Sequence, residues 1–113
     1  MYAILHYLDS HGRDHFQEWL EALGDRKAKL AIIRRVARLA AGLAGDHRSL
    51  RDGVQELRIN VGPGYRVYFA FVGRAVVLLT CGGSKQTQGR DIASAIDMLR
   101  DWKTRNDEKP PFS

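Results

Sequence analysis

The order of patterns along this chain predicts an α+β fold built on a small antiparallel sheet. Three observations carry that prediction. The stretch from Gly53 to Lys85 reads as three strands in succession, joined by two tight turns. The segments on either side of it repeat apolar residues at helical spacing. A short strand-like run opens the chain. The predicted order is strand, helix, helix, three strands, helix, with the helices covering the apolar face of the sheet.

Tyr2 to Leu8 (YAILHYL) is the first strand candidate, and Asp9, Ser10 and Gly12 interrupt it and offer a helix cap. From Arg13 to Leu23, the residues Phe16, Trp19, Leu20 and Leu23 fall at i, i+3, i+4 and i+7, one apolar stripe of a helix. Gly24 ends that helix and Asp25 can cap the next, which runs from about Arg26 to Ala41 with Ile32, Val36, Leu39 and Leu43 as its stripe. So short a connection predicts an antiparallel helical hairpin. The other faces of the second helix carry Arg26, Lys27, Lys29, Arg34, Arg35 and Arg38, with no acid after Asp25. Such a face suits a nucleic-acid or ribosomal surface, or simply a solvated helix made of good helix formers.

Gly42 to Asp52 reads as a loop, in which Arg48 can extend the basic surface. In the strand that follows, Gln55, Leu57, Ile59 and Val61 alternate with Glu56, Arg58 and Asn60. Gly62-Pro63-Gly64 supplies the turn. Between Tyr65 and Val72, the residues Val67, Phe69 and Phe71 alternate with Arg66 and Tyr68. Ala75 to Cys81 is apolar almost throughout, as in a central strand covered on both faces. Thr87 can cap a last helix from about Gln88 to Thr104, whose apolar face is Ile92, Ala95, Ile96, Leu99 and Trp102. The expected domain is 1–105, and the segment 106–113, with Pro110 and Pro111, is expected to be a flexible tail.

At 113 residues the chain has room for one core. Eighteen Lys and Arg against 13 Asp and Glu leave a formal charge of +5, which favours an acidic or polyanionic partner. The single cysteine, Cys81, permits no intrachain disulfide and reads as a small buried hydrophobe. The longest apolar run, Val67 to Val72, is too short for a bilayer, and the opening run does not follow a signal-peptide plan. A soluble cytoplasmic protein without membrane partners is expected. His11 and His15 are four apart but lack the glutamate and third ligand of a zinc helix, so no metal site is expected. Gly82-Gly83-Ser84-Lys85 lacks the spacing of a nucleotide-binding P-loop, although glycine N–H groups, a lysine and a following helix start suit a single phosphate. Arg58 and Arg66 lie on the same polar side of a hairpin, and Lys85 follows the third strand, so three cations can converge at one end of the sheet. Tyr68, on the side of Arg66, is placed to stack a nucleobase.

The blocks GDHRSLRDGVQELRINVGPGYRVYF and VVLLTCGGSKQTQGRDIASAI resemble the RelE/ParE superfamily of toxins from type II toxin–antitoxin modules, nearest to its HigB-like addiction-module killer branch. The resemblance covers Phe16 to about Ile96. It implies a small antiparallel sheet packed by a helical hairpin and a terminal helix, and a ribosome-dependent endoribonuclease that cuts mRNA in the A site without a metal or other cofactor. It implies as partners the ribosome, mRNA and a neutralising antitoxin with a helix-turn-helix DNA-binding region. By position in the motifs, the site would use Arg58, Arg66 and Lys85 for catalysis, with Arg34, Arg35, Arg38, Arg48 and Tyr68 contacting RNA or ribosome. Gln88 and Asp91 also match the family pattern. The tyrosine or histidine that some RelE-type enzymes carry near the carboxyl terminus has no counterpart, since the last histidine is His47 and the last tyrosine is Tyr68. Two other function classes stay open. One is a ParE-like poison of DNA gyrase on the same fold. The other is a non-enzymatic nucleic-acid-binding module acting through Arg34, Arg35 and Arg38.

Overall fold

The central strands of this protein bury apolar side chains on both faces, so the sheet is the middle of the molecule. The computed structural model describes residues 1–107. Strand β1 (Ala3–His6) is followed by helices α1 (His15–Ala22) and α2 (Arg26–Ala40), then by β2 (His47–Ser49), β3 (Gln55–Ile59), β4 (Tyr65–Gly73) and β5 (Val76–Ser84). A 3₁₀ turn at Lys85–Thr87 leads into α3 (Gln88–Asp107). The sheet order is β1-β5-β4-β3-β2. The β2-β3-β4-β5 run is an antiparallel meander, but β1 joins β5 in parallel, with Leu5 beside Leu78.

The architecture is α+β with a mixed five-stranded sheet and three helices, which corrects the expected sheet in two places: β1 pairs in parallel, and there is a fifth strand. The helical hairpin between β1 and the meander provides the crossover that a parallel neighbour requires. The stretch read as a loop also contains β2. Asp52 and Gly53 both take positive φ (57° and 83°), and Val54 N–H donates to Arg51 O at 3.2 Å, closing a tight β2–β3 hairpin. The Gly62-Pro63-Gly64 turn forms as expected, with both glycines at positive φ.

The helices cover both faces of the sheet, not one. Helices α1 and α2 place Phe16, Leu20, Ile32 and Leu39 against Leu57, Ile59, Val67, Phe69, Val77 and Leu79. On the other side, α3 lays Ala95, Ile96 and Leu99 over Val54, Tyr68, Ala70, Leu78 and Cys81. Each such buried large apolar side chain contributes about 1.5–3 kcal/mol by leaving water, so both interfaces hold their helices firmly. The predicted stripe of α2 is correct through Leu39, but Leu43 lies beyond the helix end and is exposed. Asp25 caps α2 through Ala28 N–H at 3.1 Å. Asp14, rather than the residues before it, caps α1 through Gln17 N–H at 2.9 Å. Thr87 does not cap α3 as expected; its hydroxyl donates to the Asp91 carboxylate. Asn106 and Asp107, expected in a flexible tail, continue α3, and residues 108–113 lie outside the described residues. No described helix is long and apolar enough to cross a membrane.

Candidate nucleic-acid site at the end of the sheet

Strand register sets the site in two rows on the α3 side. Arg48 pairs with Glu56, Glu56 with Tyr68, and Tyr68 with Cys81. One step toward the Gly62–Gly64 turn, Arg58 pairs with Arg66, and Arg66 with Gly83. Direct cross-strand partners share a face, so the side chains of each row line up. Helix α3 covers the first row and leaves part of the second uncovered.

Arg66 is the centre of this arrangement. It is only 7% exposed, its Nη1 donates to Tyr65 O at 3.2 Å, and its Nε is buried without a hydrogen-bond partner, 3.9 Å from Glu56 Oε1. A Cβ built on Gly64 would lie 3.7 Å from both Arg66 Nη1 and Lys85 Cβ. The guanidinium and the base of the Lys85 side chain therefore both border this turn. Lys85 is exposed, and its backbone N–H donates to Gly64 O at 3.0 Å, pinning the 3₁₀ turn to the hairpin. Arg58 stands beside Arg66 but is not a free cation. Its Nη2 and Nε contact Asp46 Oδ1 at 2.7 and 3.1 Å. Those bonds hold the Asp46 carboxyl below the usual carboxylate range.

The sequence assigned no role to Glu56, which is wholly buried. It accepts from Arg48 Nε at 3.2 Å and from Gln88 Nε2 at 2.7 Å, and faces Arg66. Its signal in the sequence was the alternation that puts it on the same side as Arg58. Glu56 and Asp46 offset part of the charge of Arg48, Arg58, Arg66 and Lys85; four cations against two carboxylates leave a site with a net charge of +2. Lone buried charges are costly, and this balance lets an arginine be nearly buried here.

Several predicted roles change. Tyr68 is fully buried beneath α3 and cannot stack an RNA base from there. Burial, followed by the charges of Glu56 and Asp91, also pushes its phenol strongly up. Cys81 is confirmed as buried, and burial raises its thiol to about 12, which leaves it inert at neutral pH. Arg35 turns inward from α2. Its Nη1 donates to Arg58 O at 2.6 Å, and its Nη2 to Ala44 O and Asp46 O, both at 3.0 Å. It is a clamp on the 44–46 loop and on β3, not a free contact for RNA. Arg34 and Arg38 are exposed and, with Asn60, line a groove of about 330 Å³ over an apolar floor of Ala31, Ile59 and Val61. Arg48 is half exposed while anchored to Glu56, so it lies at the rim of the site.

The histidines have a different place. His6 Nδ1 lies 2.6 Å from Asp14 and His15 Nε2 lies 2.8 Å from Asp9 in the β1–α1 connection. Among the described residues no three potential metal ligands converge. Backbone N–H donation from Arg13, helped by His15 and His11 N–H, draws the Asp9 carboxyl down to about 2.

No family model matches the chain. An uncharacterized protein of Haemophilus influenzae is 46% identical over 80 residues, which are 71% of this chain and 81% of that protein. That degree of identity over that span shows common descent, and the chain belongs to the same family as this Haemophilus influenzae protein.

Proposed function

We propose that this chain is the toxin of a type II toxin–antitoxin module, with a RelE-like fold of the HigB-like kind, and that it acts in the cytoplasm as a ribosome-dependent endoribonuclease on mRNA. The observation that carries the reading is Arg66, a nearly buried guanidinium with an unpartnered Nε, set beside Lys85 at the open end of the sheet. An arginine so placed keeps hydrogen-bonding capacity for an anion with two accepting oxygens, and a phosphodiester presents two non-bridging oxygens of that kind.

In the reaction this site suits, the 2′-hydroxyl of one nucleotide attacks the adjacent phosphorus. The O2′–P bond forms and the P–O5′ bond breaks. The hydroxyl proton leaves to an acceptor, and the departing O5′ gains one, so the products are a 2′,3′-cyclic phosphate and a 5′-hydroxyl. Arg66 and Lys85 offset the charge that builds on the equatorial oxygens. Arg58 would join them once the phosphate competes with Asp46. The site is much poorer in proton carriers. Asp46 is held low by Arg58, and Glu56 is covered by Arg48, Gln88 and α3. Chemistry limited in that way depends on a substrate delivered with its 2′-hydroxyl already in line, and orientation can supply roughly 7–11 kcal/mol of a barrier. The ribosomal A site holds a codon in this manner, and Arg34 and Arg38 on α2 would contact ribosomal RNA. A helix-turn-helix antitoxin would neutralise the protein.

Induced expression tests this reading first. Growth should arrest with the wild-type chain and continue with Arg66→Lys, which keeps a charge and loses the fork. Normal growth at high soluble expression of the wild type would contradict it. Accumulation of cleaved gyrase–DNA complexes in the arrested cells would point to the gyrase poison instead.

A further inference from the structure

Strand β1 covers only the first part of β5, pairing with Val76 to Leu79. Among the described residues no strand neighbours that edge of the sheet from Thr80 to Ser84, and α1 and the start of α3 stand on either side of it. A cleft of about 230 Å³ lies there, lined among others by Trp19, Tyr65, Ser84, Thr87, Arg90 and Asp91. We propose that this cleft is a nucleobase subsite, holding one RNA base beside the phosphate bound at Arg66 and Lys85.

Two adjacent glycines shape the cleft. A Cβ on Gly82 would fall within the benzo ring of Trp19, and a Cβ on Gly83 would overlap the Asp91 carboxylate and crowd Thr87. The indole therefore lies directly on the strand from one side, and the polar start of α3 closes from the other. Trp19 and Tyr65 meet at 6.2 Å between centroids with planes 62° apart, which gives an aromatic wall. Ser84 lies beside Tyr65 on the same face, and Thr87, Arg90 and Asp91 line the α3 side with polar groups suited to the edge of a base. Lys85 N–H donates to Gly64 O on the β4 side. By strand alternation, Gly82 and Ser84 turn their backbone groups toward the opposite, open edge. An aromatic wall with donors and acceptors alongside is how single-stranded RNA bases are read. The open edge lies between α1 and the start of α3. Lys85 directly follows Ser84, so the cleft adjoins the residues proposed to hold the phosphate.

The inference rests on the proposed function for RNA as the ligand, but its test reads binding, not cleavage. In a Trp102→Phe protein, Trp19 is the sole tryptophan. The four nucleoside 3′-monophosphates and base-free ribose phosphate are titrated while Trp19 fluorescence is followed. At least one nucleotide should quench saturably and bind roughly tenfold or more tightly than ribose phosphate, the scale of one stacked base. Gly82→Ala, which displaces the indole, should remove that advantage and leave phosphate binding. Should Gly82→Ala not fold, Asp91→Asn should change the preference among the four bases. Absence of quenching by all four, ribose phosphate binding as tightly as the nucleotides, or an unchanged preference in Asp91→Asn would overturn the proposal. Quenching that only an added peptide produces would overturn it too. A protein that cuts mRNA on ribosomes but binds no base would lose the cleft and keep the nuclease. A protein that binds a base and cuts nothing would do the reverse.

Discussion

Arg66 illustrates how burial changes what a substitution tests. Its strand position suggested a polar, solvent-facing residue whose removal would leave no cavity, but it is buried to 7% exposure beside Glu56. Arg66→Ala would leave both a void and a buried carboxylate with fewer partners. Arg66→Lys is the better probe because it keeps the charge. Under the proposed function it should lower cleavage roughly a hundredfold or more, the usual effect of losing a group aimed at transition-state charge, with thermal unfolding near wild type. Near-wild-type cleavage by the folded variant would remove Arg66 from the site. Glu56 was in view in the sequence as a member of an alternating strand. Its importance was not, because that depends on Gln88 arriving from 32 residues away. At Asp9 the acid side is testable. Its carboxyl ordinarily titrates near 3.8 and is drawn to about 2 in the fold. Its contribution is therefore complete above about 4 and is lost as pH falls through about 2. The amide resonances of His11 and Arg13, whose N–H groups donate to Asp9 Oδ1, should shift over that interval.

Elements were legible where one pattern decided them. The stripe Phe16, Trp19, Leu20, Leu23 and the alternation around Leu57 and Val67 placed α1, β3 and β4. β2 was missed because His47-Arg48-Ser49 is polar and lies on the exposed edge, so no apolar alternation marks it; the Asp52-Gly53 pair was the local sign of its hairpin. The direction of β1 could not be read from its own residues, since its partner β5 lies some 70 residues on. The two-sided packing was written in β5, apolar on both faces, and its consequence was that α3 covers Tyr68. The basic face of α2 divides in the same way. Arg35→Ala should destabilise the protein by roughly 1.5–3 kcal/mol, because one charged donor set holds three carbonyls, and should free the 44–46 loop. Arg34→Ala and Arg38→Ala should leave stability within about 0.5 kcal/mol and weaken RNA or ribosome binding, most visibly at low salt. Denaturant melts and a salt-dependent binding series separate the two classes. Equal stability loss in all three variants would contradict the division. At the start of α3, Gly83→Ala forces a Cβ onto Asp91 and should cost at least about 1–3 kcal/mol in the same melts.

On the scale of the whole molecule, the sheet carries one set of cations to one end while the helical hairpin presents another on its outer face. Asp46 joins them, because Arg35 of α2 holds its carbonyl and Arg58 of β3 holds its carboxylate. Docking through α2 and chemistry at Arg66 would thus be rigidly coupled. A site that stabilises charge well and moves protons poorly should work only where the substrate is already oriented. The most direct test compares one mRNA with and without programmed ribosomes, at equal protein and ionic strength. The account predicts rapid cleavage within the A-site codon when ribosomes are present, little or none on free mRNA, and loss of the ribosome-dependent product with Arg66→Lys. Equal cleavage in both tubes, or no cleavage in either by a folded protein, would contradict it.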